Sequence, residues 1–420
     1  MRRVLKIILN IVFVLIIIVG AFFVYDFYAT NNLNDYTKSA LKQNSSEFTR
    51  DRNVKYSSQR SFKIYSPEYN DAMISKELKL KKNTPYKLSC MVKTENVESE
   101  NNKTGSGAHL SIDGRTTRSI AVTGTKDWQK IELLFNSKGD DKVKVGFRLG
   151  GYIDNCKGTA WFSDMKVEEG ISDTTNEWKF ACFIYNNTDV NIGDKNIKLK
   201  VTQSDVKDIK DTITRFENTC ASLSKNKMTA TTDIYSIDTP LKNLSYDEEF
   251  GYFVAPEDVE KDIKTTINKN NYDHIFVVIR LGDDFYDNDI QVNDWIGLGS
   301  MDYYGVGFSN IRLPNNSKSY IYKYDPRINL FPEEVFLHEF LHSLERNAKE
   351  YGFERPALHD YEKYGYSIEP LVGQKRWYTD YMNKDIKVSE GYIGLPEEIY
   401  TLKPAKQQDF EHAEELKDIF

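Results

Sequence analysis

With 420 residues the chain exceeds what one compact core usually holds, and on the usual ~150-residue scale it suggests about two domains. Hydrophobic residues make up 40% and charged residues 28%, an ordinary globular composition that excludes global disorder. A net charge of −7 excludes the basic face that nucleic-acid binding requires, so no nucleic-acid partner is expected.

At the N-terminus, Arg2, Arg3 and Lys6 precede an apolar run from Ile7 to Val24, broken only by Asn10. A helix of that length just crosses a bilayer core, and the flanking basic residues stay on the cytoplasmic side. Residues 1–25 are therefore expected to be a transmembrane signal anchor, in the membrane over residues 4–25. That makes a single-pass protein of the cell membrane with its bulk extracytoplasmic. Val19-Gly20-Ala21 offers a cleavage site as the alternative, but the apolar run continues through Phe22, Phe23, Val24 and Tyr25. Residues 26–57, rich in Asn, Ser, Lys and Asp, read as a polar stalk. The cysteines (Cys90, Cys156, Cys182 and Cys220) show no CxxC pair and hence no thiolate metal site. Outside the cytoplasm they pair as Cys90–Cys156 and Cys182–Cys220, or else stay as buried thiols.

From 58 to 170 short alternating segments are separated by turns, among them Tyr86–Val92, Ala108–Ile112, Gln129–Phe135 and Lys142–Leu149. Period-two patterning with no helical stretch predicts an all-β sandwich. Three segments carry a resemblance: Tyr86-Lys87-Leu88-Ser89 leading into Val92-Lys93-Thr94, Gly124-Thr125-Lys126-Asp127-Trp128, and residues 158–169 around Trp161 and Asp164. On these, the segment resembles the jelly-roll carbohydrate-binding modules related to families 4 and 9. The resemblance implies a polysaccharide partner for residues 58–170 and a structural Ca2+ near Asp164. Trp128 and Trp161 fit core packing better than a sugar-stacking role.

After a linker from Gly170 to Glu177 the pattern becomes α/β over residues 178–420. Strands are expected at Phe180–Ile184, Met228–Ile237 and His274–Leu281, and helices at Val206–Leu223 and Pro256–Asn268. Gly297 to Gly307 is punctuated by glycine and runs into Phe308–Leu313. Such a series implies a sheet with helices packed on it. The acidic group Asp283, Asp284, Asp287 and Asp289 lacks EF-hand spacing and reads as a solvated loop.

Residues 332–345 open with proline and acidic residues, as a helix should, and contain His338-Glu339-Phe340-Leu341-His342. Histidines four apart leave one helix face together and can hold one metal ion, with Glu339 beside them to take a proton from water. The neighbours Leu337, Phe340 and Leu341 are apolar, which argues against two histidines on a solvated face. This HExxH motif resembles the zincin metallopeptidases, sharply at residues 338–342. The resemblance implies Zn2+, Glu339 as general base, and an edge strand before the active-site helix that aligns substrate. On chain order the candidate for that strand is Gly305–Asn310.

The third ligand departs from known patterns. A metzincin spacing would need glycine at Glu345 and a ligand at Ala348; a gluzincin spacing points to Glu362. If the helix runs to Tyr351 with Gly352 as its cap, it carries the chain about 13 Å beyond His342. The seven residues Phe353–His359 return up to about 23 Å, so His359-Asp360 reaches the metal. The ligand candidates rank His359, Asp360, Glu362, with Asp360 alternatively orienting His359. Tyr364 and Tyr366 are candidates for stabilising an oxyanion, or else pack as aromatics. The expected whole is a membrane-anchored zinc endopeptidase acting on a protein or glycoprotein and placed by a glycan-binding sandwich. The alternative is a surface glycan-binding or adhesion protein with an inactive peptidase domain.

Overall fold

Alternation at period two turns one face of each strand between residues 37 and 169 toward a shared interior. Nine strands result: β1 (Thr37–Ala40), β2 (Glu47–Asp51), β3 (Ser61–Asn70), β4 (Ala72–Lys79), β5 (Pro85–Ser99), β6 (Gly107–Ile112), β7 (Gly124–Asn136), β8 (Lys142–Gly150) and β9 (Cys156–Glu169). The computed structural model describes residues 33–101, 105–152, 154–282, 290, 295–303, 305–313, 333–367 and 371–417. The strands form antiparallel sheets β1-β4-β8-β6 and β2-β3-β9-β5-β7. Ile64, Ile74, Leu88, Leu110, Val145 and Phe162 are fully buried between them.

Two expectations need correction here. Residues 37–51, read as stalk, supply β1 and β2. An edge strand is held by backbone pairing and needs little apolar side chain, which is why its composition looked like linker. Of the two tryptophans assigned to the core, Trp161 is buried, with Nε1 donating to Asp51, whereas Trp128 lies half-buried against Tyr56. The first half of β7 has no buried residue on either face, so Trp128 has no core to enter.

The second unit continues with β10 (Glu177–Tyr185), β11 (Asn187–Ile192), β12 (Lys195–Lys200), α1 (Gln203–Leu223), β13 (Thr229–Ile237), β14 (Ser245–Asp247), β15 (Gly251–Phe253) and α2 (Pro256–Asn270). It ends with β16 (His274–Arg280), β17 (Gly297–Tyr303), β18 (Val306–Leu313), α3 (Glu334–Glu350), α4 (Leu371–Met382), β19 (Ile386–Val388), β20 (Gly391–Ile393) and β21 (Glu414–Glu415). A five-stranded sheet in the order β13-β10-β16-β18-β17 is parallel except for β17. Helix α1 opens with Thr202, whose hydroxyl accepts from the Asp205 amide while the Asp205 carboxylate accepts from the Thr202 amide. Its residues Ile209, Ile213, Phe216 and Cys220 follow helical spacing and are buried with Phe180, Phe276, Phe336 and Phe340, which places α1 and α3 on one face of the sheet. Val259 and Ile263 of α2 join Phe183 and Val277 on the other. All four cysteines are buried free thiols.

The expected class, a membrane helix followed by a sandwich and an α/β metallopeptidase fold, is corrected. Among the described residues there are twenty-one strands and four α-helices, so the molecule is predominantly β. The excess includes hairpins in segments where no element is assigned from the sequence, such as β11–β12 and β19–β20. None of the described helices is long and apolar enough to cross a membrane. The run from Ile7 to Val24 lies outside the described residues, as does the acidic group 283–289, and the anchor and the placement drawn from it are withdrawn. The proposed edge strand is also corrected. Of the candidate Gly305–Asn310, all but Gly305 falls in β18, which has β16 on one side and β17 on the other, so the free edge is β17. A hairpin folds the glycine-rich segment back along β18, which chain order alone does not reveal.

Beyond β20 the chain returns to both units. Lys403 and Lys406 are almost fully buried, with Lys406 Nζ 2.7 Å from Asp273 and 3.1 Å from Asp173, and Lys403 Nζ 2.9 Å from Asp173. Glu414 and Glu415 then pair with Glu169 and Glu168 of β9. Although burial opposes ionisation, the Thr175 amide and hydroxyl and both ammonium groups hold the Asp173 carboxyl well below the usual carboxylate range. A carboxyl held low in the folded state stabilises above its unfolded value, near 4, and loses that contribution as pH falls further. The urea midpoint should therefore drop as the protein is acidified below about pH 4, and less so in Asp173→Asn. Asp273→Ala, which strands buried ammonium groups, should cost about 3–5 kcal/mol in the same measurement at pH 7.

Candidate metal centre

Helix α3 packs Phe336, Leu337, Phe340 and Leu341 into the core and thereby directs His338 and His342 outward on one face. It ends at Tyr351, whose amide donates to the Asn347 carbonyl, and Gly352 takes φ 78, the left-handed turn that glycine tolerates. The return segment brings His359 back over the helix. His338 Nε2 lies 2.9 Å from His359 Nε2 and 3.2 Å from His342 Nε2. These three are the one group of His, Cys, Asp or Glu side chains among the described residues spaced to hold a metal ion.

Hydrogen bonds on the far side of each ring decide which nitrogen is bare. The Tyr378 hydroxyl donates to Glu334 and so accepts from His338 Nδ1, 2.8 Å away. His342 Nδ1 lies 3.1 Å from Glu345 Oε2, and a carboxylate only accepts. Both Nδ1 atoms thus carry protons, and both Nε2 lone pairs point at the common centre. Burial, reinforced by His342 and His359, pushes His338 down to about 3, and burial also lowers His359. Neutral imidazoles are what zinc binds, and tetrahedral Zn–N bonds of about 2.0–2.1 Å require nitrogens roughly 3.3 Å apart. The donor set fits zinc.

Glu339 is 5% exposed and lies under the edge strand. A Cβ on Gly297 would overlap its carboxylate, and one on Gly299 would lie 2.7 Å from Oε2. Burial pushes the Glu339 carboxyl up to about 8, with the charge of Glu334 acting in the same direction and the Gly299 amide opposing.

The structure brings His338, His342 and His359 together, sets the Glu339 carboxylate under Gly297 and Gly299 of the edge strand, and leaves the remaining sequence candidates aside. Asp360 pairs with Lys363 at 3.3 Å and Glu362 is exposed in a short 3-10 turn, so neither joins the histidine nitrogens. Tyr366 donates to Asp380 at 2.7 Å, and Tyr364 stacks on Trp377. Neither hydroxyl reaches the histidines because Trp377 draws both rings to α4. Asp164, the expected calcium ligand, accepts from Ser57 at 2.5 Å and Ser163 at 3.2 Å. Sequence reasoning missed Glu334, Glu345 and Tyr378. Glu334 and Glu345 are legible in retrospect as helix neighbours four and three positions from a histidine. Tyr378, forty positions from His338, leaves no local signal.

His359→Ala should lose stoichiometric zinc, read by competition with a chromogenic chelator, because two imidazoles from one helix hold the ion weakly. Asp360→Ala should bind zinc as the unaltered protein does.

No protein-family model and no curated protein matches the chain. Solved structures with a likeness to it include the enzymatically active domain of bacteriophage CBA120 tailspike protein 4, at 13% identity and TM-score 0.25, covering 33% of this chain and 20% of that one. The chain thus spans about a fifth of the tailspike domain. TmCBM61 in complex with beta-1,4-galactotriose follows at 15% identity and TM-score 0.24, covering 33% and 92%. The family 11 carbohydrate-binding module of Clostridium thermocellum, in complex with a mixed-linked tetrasaccharide, has 10% identity and TM-score 0.24, covering 32% and 89%. Two of these neighbours are carbohydrate-binding modules, and each covers about a third of this chain. The zincin resemblance is sharp at residues 338–342 only, and a five-residue motif fixes one helix face, not the sheet around it.

Proposed function

We propose that the chain is a metal-dependent hydrolase of peptide bonds, with zinc held by His338, His342 and His359. The observation that carries this reading is the convergence of three imidazole nitrogens on one point, on the helix that also carries the buried Glu339 carboxylate. The resemblance of residues 338–342 to the zincin metallopeptidases supports it at those positions. Zinc bound there supplies Lewis acidity toward a carbonyl and a water. Glu339 takes the proton of the attacking water on its carboxylate and returns it to the leaving amine. The charge of a metal ion held by the neutral histidines would offset the burial that raises the Glu339 carboxyl, favouring the ionised base at neutral pH. Gly297 and Gly299 keep that carboxylate clear of side chains, so that it can turn from water to leaving nitrogen.

A second reading, glycan binding, is favoured by a cleft of about 820 Å³ between the outer face of β6 and β8 and the segment around Tyr246. His109 is 2% exposed, its Nδ1 donates to the Gly107 carbonyl at 3.1 Å, and Gly151 leaves its ring edge open. Burial, helped by the charges of Arg118 and Arg148, pushes it down to about 3, so Nε2 remains a bare acceptor. Arg148, held by Asp71, lies over the exposed ring of Tyr152 at 4.2 Å. An acceptor and a guanidinium beside an open aromatic face suit a sugar hydroxyl and its ring.

Two measurements separate these readings. Glu339→Gln should keep zinc while peptide hydrolysis falls by roughly 10²–10⁴, and Gly297→Ala should retain zinc but lose activity through a displaced carboxylate. Equal turnover in Glu339→Gln rejects the hydrolase mechanism. Tyr152→Ala should weaken any oligosaccharide found on a glycan array by roughly threefold to tenfold, with peptide hydrolysis unchanged.

A further inference from the structure

Tyr378 of helix α4 stands forty residues from His338, yet two consecutive side chains of that helix reach the candidate metal centre. Tyr378 is 3% exposed, accepts from His338 Nδ1 and donates to Glu334, itself 3.6 Å from the same ring nitrogen. Trp377 is 1% exposed, and its Nε1 donates to the Leu358 carbonyl at 2.9 Å, one residue before His359. Glu345 closes the set, because Oε1 accepts from the Leu358 amide at 3.1 Å while Oε2 accepts from His342. The peptide bonds on either side of Leu358 are therefore gripped from opposite directions, by α4 and by α3.

We propose that Tyr378 is a positioning residue that sets the tautomer and ring plane of His338, and that α4, through Tyr378 and Trp377, aligns two of the three nitrogens for the metal. The inference rests on the metal-centre reading above. A phenol whose proton goes to Glu334 offers the imidazole a lone pair only, which fixes the proton on Nδ1 and frees Nε2. Free imidazole carries its proton on either nitrogen, so the ring loses this bias once the hydroxyl is gone. Tyr381 gives an internal control. It lies on the same helix, is fully buried, and its hydroxyl has no hydrogen-bond partner among the described residues.

The test compares Tyr378→Phe with Tyr381→Phe in the full chain. Long-range 1H–15N spectra of the metal-free protein should show His338 protonated at Nδ1 in the unaltered chain and in Tyr381→Phe, and a mixture of tautomers in Tyr378→Phe. Zinc affinity, measured by chelator competition, should fall about 10–100-fold in Tyr378→Phe and stay level in Tyr381→Phe. Tyr378→Phe with an unchanged His338 tautomer overturns the proposal, and so does an equal loss of affinity in both variants, which marks a structural effect of α4. An unaltered chain that binds no zinc rejects the metal centre instead, and the tautomer measurement still decides the role of Tyr378.

Discussion

Three imidazole nitrogens facing one point, two of them with lone pairs turned inward, crowd one another, and a fold that holds them there must do so against that crowding. Water alone does not relieve the crowding, since two of the three nitrogen pairs are only 2.9 and 3.2 Å apart. What opposes it is a shell of oriented groups: a phenol behind one imidazole, a carboxylate behind the second, and a doubly gripped peptide beside the third. The apolar side of α3 contributes as much as the polar side. Phe336 and Phe340 press on Phe216 and Phe276, and this fixes the rotation of the helix about its axis and with it the direction of both histidines.

How far the sequence anticipates this depends on the range of the physics involved. The helix, its cap at Gly352 and the same-face placement of His338 and His342 follow from local spacing, and the length of the return segment put His359 first among the ligands. Strands β10 and β16 are legible because they are buried and β-branched or aromatic over several residues, and β13, with no buried residue, because it is rich in Thr, Ile and Tyr. The free edge was misplaced because hairpin pairing is not written in any single strand. The stalk was misread because an exposed edge strand resembles a linker in composition. Tyr364 and Tyr366 were plausible from proximity in sequence, but aromatic packing on Trp377 decides their direction, and Tyr378 depends on tertiary contact alone.

The sandwich and the sheet unit meet through charge as well as backbone. Arg118 pairs with Glu257 of α2, Lys138 bonds Asn347 and pairs with Glu350 at the end of α3, and the Tyr351 hydroxyl donates to Asn83 at 2.8 Å. Partial burial makes each of these costly to break singly, because the remaining charge is left without its partner. The end of the helix that bears the histidines is thus fastened to the sandwich, and the cleft beside β6 and β8 is walled by both units.

The pairing of Glu414 and Glu415 with the last residues of β9 has a kinetic side. Lys166 and Glu415, joined by an ion pair across that seam, stand 249 positions apart in the chain. During synthesis the sandwich emerges first but cannot complete this edge until the chain has been made past Glu415. Until then the end of β9 presents unpaired backbone groups, a surface that other chains can add to. Contacts of such sequence separation form late and slow folding. The nascent sandwich therefore waits, open at one seam, for the residues that close it.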